Sequence, residues 1–412
     1  MNTGNNSCIC DFFKKLKRGE VVTVSLWDSS QFISFSFIQL NKHCITGELD
    51  DGSLITFDCK DVCFVGCGII SPPQPCGTLD CTWIEDPNNP IYDPPVTSAY
   101  YQTVRYSSDG FAPNGPFSYY KMWYDIASAG GIAVANSPDG INWTFDSNLT
   151  GLTGTARHSR ILYDPAGFGI GAPYRIWYWD SPNPYMTDPI VLNMIRTATS
   201  LDGINWTNDM NISQSAANPL LVPIPTTDFN RGSYGPADIL YYPANPAVLD
   251  LANPFNNRYV MYYDITDGAT EQIALAVSVD GITWSKVGPF AVIPKGPPGS
   301  WDQNYVAEHA VVIQLGPNDF RAWYSGGVTS SSEGIGCATS TDGVNWTKFA
   351  GNPIFSINDG VAWRAGRTYN PWVLFDPQRF NGHGDSLCYK FWMTGGTSGS
   401  NLNIGYATNS GG

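Results

Sequence analysis

Four segments of this chain are near copies of one turn. Residues 137–143, 200–206, 278–284 and 340–346 all read Ser-x-Asp-Gly-x-x-Trp. Their tryptophans, Trp143, Trp206, Trp284 and Trp346, stand 63, 78 and 62 residues apart. A period of that size marks repeated supersecondary units that must stack on one another to bury their apolar faces. Each turn follows a short apolar strand: GIAVANS, MIRTATS, IALAVSV or GIGCATS. An aromatic strand lies upstream in each unit, as in YYKMWYD, YRIWYWD, RYVMYYD, FRAWYSG and YKFWMTG. A third strand precedes that one, for example SRILYDP, ADILYYP or PWVLFDP. Asp-Gly is the strongest short hairpin signal, so each tryptophan opens a fourth, outer strand.

Four strands repeated about an axis are the blades of a β-propeller. The fifth unit ends at Asn403–Asn409 without its own turn and outer strand. Residues 81–92 supply the missing piece. They resemble residues 345–355 through a Trp and an Asn-Pro-aliphatic-aromatic tail, which makes Trp83 the fifth tryptophan. Such a strand zips the two chain ends into one sheet and removes two open edges. The expected fold is therefore all-β: a five-bladed β-propeller over 96–412, closed by a strand within 71–95.

The Ser-x-Asp-Gly-x-x-Trp turns and Trp-Tyr strands resemble the five-bladed propellers of the arabinanase, β-xylosidase, invertase and levansucrase clans of glycoside hydrolases, over about residues 81–412. The turn differs from the sialidase Asp-box, which spaces Asp and Gly by one more residue. The resemblance implies inner strands that carry three carboxylates into an axial funnel: an Asp base or nucleophile, a Glu acid and a further Asp. The chemistry needs a proton donor and a base flanking the glycosidic bond. The resemblance also allows calcium in the central channel. No other cofactor or metal is implied.

Aligned on their shared endings, the inner strands begin near Tyr100, His158, Pro236, Glu308 and Asn370. Asp238 and Glu308 are the catalytic candidates on that alignment. His158, Arg160, His309, Arg367, Tyr100 and Gln102 are the candidate sugar-binding groups, with Arg157 at the same level. The first inner strand has no carboxylate where the family places its base, and Asp93 lies upstream in a loop-like Asp-Pro-Pro. The competing reading pairs Asp238 and Glu308 with Arg160 or Arg367 to neutralise buried charge. Asp125, Asp180 and Asp264 recur at one repeat position and read as turn residues. Trp177, Trp179, Trp301, Trp363 and Tyr369 are offered as outer-face rings for sugar stacking.

The N-terminal region is different in kind. Eight of the ten cysteines fall within residues 8–81: Cys8, Cys10, Cys44, Cys59, Cys63, Cys67, Cys76 and Cys81. Their spacing suits disulfides better than zinc sites. Alternating runs at 20–27, 32–38, 43–49, 53–57 and 62–67, with a turn at Asp50-Asp51-Gly52, predict a small SH3-like or Sm-like β-barrel over 18–70. A polar tail, 1–17, carries the Cys-x-Cys and a solvated basic collar. This segment loosely resembles cysteine-rich proteins of bacterial spore coats and exosporia. That would reconcile many cysteines with an N-terminus that lacks the apolar run of a signal peptide.

A net charge of -14 disfavours nucleic acid and anionic membrane surfaces as partners. No stretch is apolar enough to insert in a membrane as a helix. Two functions follow. One is an extracellular or spore-surface structural protein that self-assembles, as a filament or layer cross-linked through its cysteine-rich region, and displays a carbohydrate-binding propeller. The other is an active glycoside hydrolase anchored by the same region.

Overall fold

In the computed structural model the described residues are 21–26, 32–41, 44–49, 53–58, 62–67, 76, 81–94, 98–111, 118–126, 131–180, 194–212, 235–266, 270–288, 291–329 and 332–409. The chain divides into two compact units, Met1–Pro75 and Cys76–Gly412. In the first unit, strands Val21–Leu26, Phe32–Asn41, Cys44–Glu48, Leu54–Asp58 and Val62–Cys67 form one antiparallel sheet. The first strand pairs with both the second and the fifth, and the fourth stands at the far edge. All five strands fall where the alternation places them. Cys8, Cys10 and Cys59 lie outside the described residues, as do the side chains of Cys44, Cys63 and Cys67.

The second unit is the five-bladed propeller. Blade 1 is built from Ala99–Tyr106, Tyr120–Ile126, Ile132–Ser137 and Thr144–Asn148. Blade 2 is Ala156–Tyr163, Tyr174–Asp180, Met194–Ser200 and Trp206–Asn211. Blade 3 is Pro236–Tyr241, Tyr259–Thr266, Glu271–Ser278 and Ser285–Lys286. Blade 4 is Tyr305–Gly316, Asp319–Gly327, Gly334–Ser340 and Trp346–Lys348. Blade 5 is Arg367–Phe375, Tyr389–Ser398 and Asn401–Asn409, completed by Trp83–Glu85.

The Ser-x-Asp-Gly turn works differently from a two-residue hairpin. Only its glycine has positive φ, 77° at Gly203, and the flanking pair Ser200–Trp206 encloses five residues. Side chains hold it instead. Ser200 Oγ accepts the Gly203 N–H (2.9 Å), and Asp202 Oδ1 accepts those of Ile204 and Asn205 (both 2.8 Å). The glycine is required twice over, because a Cβ there would also lie 3.0 Å from Trp123.

That close approach joins the blades. Trp123 Nε1 of blade 1 donates to Gly203 O of blade 2 (2.8 Å), and Trp177 Nε1 of blade 2 to Gly281 O of blade 3 (2.9 Å). Tyr262 of blade 3 reaches Gly343 O (2.6 Å), and Trp392 of blade 5 reaches Gly140 O of blade 1 (2.8 Å). Trp323 of blade 4 meets no such turn among the described residues and packs edge-on against Trp83, centroids 5.7 Å apart.

Trp83 therefore closes the ring as expected, paired with Asn409 in the last sheet. Asn89 clamps Tyr406 through its N–H and C=O (2.8 Å each), as Asn352 clamps Cys337 (2.8 and 2.9 Å). Glu85 accepts from Arg364 Nε (3.0 Å) and from Trp363 Nε1 (3.1 Å).

One assignment is corrected. Cys76 and Cys81 do not belong with the N-terminal assembly cysteines. They form disulfides with Cys388 and Cys337, across 312 and 256 residues. Both bonds fasten the closing segment to blades 5 and 4, and they place the chain in an oxidising environment.

Two outcomes are expected. Replacing Cys81 and Cys337 by Ser and Ala should remove about 2–4 kcal/mol, read as a lower thermal midpoint. An unchanged midpoint would mean that hydrogen bonds alone close the ring. The second concerns acid. Burial alone would raise Asp202 and Asp342, but hydrogen bonds from Asn205 and Asn345, and from the N–H groups beside them, outweigh it and hold both at about 2. With an unfolded value of about 3.9, their contribution is complete above that pH and disappears as pH falls through about 2. The pair Asp202→Asn and Asp342→Asn should show a shallower loss of midpoint across that window than the parent.

Candidate functional site at the axial mouth

The inner strands all start at one end of the axis, and each carries a β-bulge there. The register shifts between Tyr100 and Thr103, Arg157 and Arg160, Pro236 and Asp238, Ala307 and Ala310, and Tyr369 and Trp372. A bulge bends the strand and re-aims a side chain. Tyr101, His158 and Asn370 occupy these bulges with φ of 56°, 48° and 52°.

The freed bulge N–H groups need acceptors, and the neighbouring blade supplies them. Asp125 Oδ2 accepts from His158 N (3.0 Å), and Ser325 Oγ from Asn370 N (2.9 Å). This corrects the reading of Asp125, Asp180 and Asp264 as turn residues: all three are buried at the ends of second strands. Burial pushes the Asp125 carboxyl well above its ordinary value, against the His158 N–H and the nearby Arg157 and Arg160.

The mouth itself is aromatic. Tyr101 lies 3.7 Å from His158 by ring centroids, His158 4.8 Å from Trp179, and Tyr100 4.9 Å from Tyr101. Tyr369 meets Tyr101 edge-on at 5.7 Å, with the Arg367 guanidinium 4.2 Å over its ring. Arg367 is gripped by Glu333 through Nε (2.7 Å) and Nη2 (3.0 Å). Glu333 is buried and also accepts from Tyr305 OH (3.3 Å) and Thr368 N (3.3 Å).

Of the candidate residues, Tyr100, His158 and Arg367 thus meet at the mouth. Gln102 bridges Asn370 O (2.6 Å) and Thr394 Oγ1 (2.8 Å), tying the first and last blades. Arg160 and Asp238 lie deeper. Asp238 is 2% exposed, and its two oxygens accept from Ile239 N (2.7 Å) and Val312 N (2.8 Å). Burial raises its carboxyl, offset in part by Arg105, Val312 N and Arg160. Glu308 falls inside the blade 4 bulge, but its side chain and that of His309 lie outside the described residues. Asp93 is exposed beyond Tyr92, which pairs with Ile404 in the third strand of blade 5.

Sequence reasoning missed Tyr101 and Glu333. The first sits in a bulge that no pattern announces, and the second stands seven residues before Ser340, as Glu271 stands before Ser278 in blade 3, a repeat that the inner-strand alignment left aside. Among the rings offered for the outer face, Trp179 and Tyr369 belong to the mouth. Trp177 is core, Trp301 stacks on Tyr324 (6.0 Å), and Trp363 caps Gly395 and Gly405. Among the described residues no cluster of three or more His, Cys, Asp or Glu side chains could hold a metal ion.

No known family profile matches the sequence, and no curated protein matches it at a significant level. Solved structures do. A putative glycoside hydrolase from Parabacteroides distasonis is 13% identical, with 81% of this chain and 98% of that one covered at a TM-score of 0.51. One from Bacteroides ovatus is 14% identical, covering 80% and 97%, also at 0.51. The α-L-arabinofuranosidase from Lactobacillus brevis is 10% identical, covering 77% and 91%, again at 0.51. The chain has a glycoside hydrolase-like propeller fold.

The raised carboxyl of Asp125 gives a signed expectation. An acid with its folded value above its unfolded one loses stability as pH rises through the unfolded value of about 3.9. Asp125→Asn keeps an acceptor for His158 N without that penalty. It should be at least as stable as the parent at pH 7, whereas Asp125→Ala should lose about 1–3 kcal/mol. Denaturant unfolding of both variants decides. An Asn variant as damaged as the Ala variant would mean that the charge itself is needed.

Proposed function

We propose that this is a surface-held protein whose propeller binds carbohydrate at the axial mouth without cleaving it. The observation that carries the reading is the state of the inner-strand carboxylate. Asp238 is buried with both oxygens committed to backbone N–H groups, and the first inner strand presents Tyr100, Tyr101 and Gln102 where a base would stand. A glycosidase needs two carboxyl groups free to reach the bond. What supports binding is the combination of rings and fixed polar groups. Sugars pack C–H faces on aromatic rings and take hydrogen bonds from a few placed side chains. Tyr100, Tyr101, Tyr369, His158 and the Arg367–Glu333 pair bring both kinds of group together, with Arg367 the partly exposed member over rings that are themselves buried.

In this reading the cysteine-rich N-terminal region joins copies of the chain into a spore- or cell-surface assembly. Cys8, Cys10, Cys44, Cys59, Cys63 and Cys67 remain the candidates for those cross-links, now without Cys76 and Cys81. The second reading, an active glycoside hydrolase, is favoured by one feature: Glu308 lies in a bulge equivalent to those of Tyr101, His158 and Asn370.

Calorimetry with arabinan, xylan and fructan oligosaccharides should show binding that Arg367→Ala weakens at least tenfold. The same sugars and aryl glycosides should release no product. Turnover abolished by Glu308→Gln would establish the enzyme instead, and absence of binding to every sugar would end both readings. Non-reducing electrophoresis should show reductant-sensitive ladders, and a clean monomer would remove the assembly.

A further inference from the structure

The inner strands run from the mouth to the other end of the axis, and four of them finish there on a repeated pair of rings. Tyr106, Tyr163, Tyr241 and Phe375 are the last residues of their inner strands. Each stands opposite the first residue of the next strand: Tyr120, Tyr174, Tyr259 and Tyr389. Ring centroids within the pairs are 5.0, 4.9, 4.8 and 4.9 Å apart. The second-strand ring is buried in every pair, while the inner-strand ring stays partly exposed. Core packing accounts for the buried rings. It does not account for four partly exposed ones at one level, because a lone exposed ring is ordinary and a cluster marks a contact surface. Blade 4 departs from the repeat: Gln314 stands opposite Phe320, and its Oε1 accepts from Tyr242 OH (2.8 Å).

Two cavities open at this level. One of about 310 Å³ is lined by Tyr241, Tyr242, Gln314 and Phe375 among others. The other, of about 520 Å³, is lined by Tyr106, Ser108, Tyr163 and Phe375 among others. They share Arg105, Leu374 and Phe375, so the two adjoin. Both sizes fall in the range of small-molecule sites. Arg105 is a partly exposed, fixed donor between them, with its Nε donating to Ile161 O (2.5 Å) and its guanidinium 5.0 Å over the Trp372 ring. The charged groups lining the two cavities are Arg105, Asp238 and Asp376. Asp238 accepts from Ile239 N and Val312 N, and Asp376 from Gln378 N and Phe380 N. One cation against two acids leaves no positive excess for an anion. Acids committed to backbone donors leave no open ligand set for a metal. We propose that this distal vestibule binds a neutral saccharide of one or two rings. Its C–H faces would pack on Phe375 and the exposed tyrosines, and its hydroxyls would meet Arg105, Gln314 and Ser108. Strand Ala99–Tyr106 puts about 20 Å between the two ends of the axis, so the vestibule is separate from the mouth and does not rest on the reading given there.

The test titrates the full chain carrying Arg367→Ala, which impairs the mouth, with arabinobiose, xylobiose and sucrose by calorimetry. At least one of these sugars should still bind. Ser108→Trp, which fills the wider cavity from an exposed position, should weaken that binding about tenfold or more with the thermal midpoint unchanged. Phe375→Ala, which removes the wall shared by both cavities, should do the same. Crystals of the parent soaked in the bound sugar should show it against Phe375, which keeps the test independent of whether a variant folds. Binding that both distal variants leave intact, a soaked sugar found only at the mouth, or no binding to the Arg367→Ala chain would each overturn the vestibule. A parent that binds sugar and an Arg367→Ala chain that does not would leave the mouth reading standing, so the two fail separately.

Discussion

One turn carbonyl in each of four blades organises this propeller. The turn glycine offers its C=O to an aromatic donor on the second strand of the preceding blade, at Gly140, Gly203, Gly281 and Gly343. The residue before it contributes a second carbonyl. Asp280 O accepts from Arg175 (2.5 Å) and Asp139 O from Lys390 (3.4 Å), with both cations buried against rings of the adjoining blade, Tyr259 and Tyr120. The repeated Ser, Asp, Gly and Trp are thus parts of one device. Ser and Asp fix the turn, Gly permits the approach, Trp143, Trp284 and Trp346 donate to their own turn's glycine C=O (3.1, 3.2 and 3.1 Å), and the neighbour's aromatic donor is seated on the same carbonyl. A polar contact of this kind fixes the angle between blades, which apolar packing alone leaves loose.

Where that device is missing, others substitute. No fifth turn is described, and the junction of blades 4 and 5 is held by Trp83, by the Glu85–Arg364 pair and by two disulfides. The closing strand is short, three residues, so its hydrogen bonds are few. The covalent bonds flank the place where a ring built from a linear chain is weakest.

The axis shows why polar residues in an inner strand are poor guides to chemistry. Each bulge releases backbone donors that must find acceptors within a dry wall. Asp125 and Ser325 meet that need between blades, and Asp238 takes the N–H of Val312, which lies beyond the bulge on the inner strand of blade 4. A carboxylate placed there by sequence alignment can therefore be an acceptor for its neighbour's backbone rather than a reagent. Gln102, aligned as a sugar contact, ties blade 1 to blade 5 for the same reason.

Periodic and local features were legible from the sequence. Blade number, strand positions, the turn and the role of Trp83 follow from spacing, because a repeat must bury the same face each time. The five strands of the N-terminal sheet were legible through two-residue alternation. Partners far apart in the chain were not. Cys81 finds Cys337, Glu333 finds Arg367, and the two arginines converge on Trp372 only when five blades close around an axis. The direction in which Asp238 points was likewise decided by a one-residue bulge, which flips a side chain without leaving a mark in the residue pattern. The sequence determined the repeat; the closed ring decided which of its polar groups face one another.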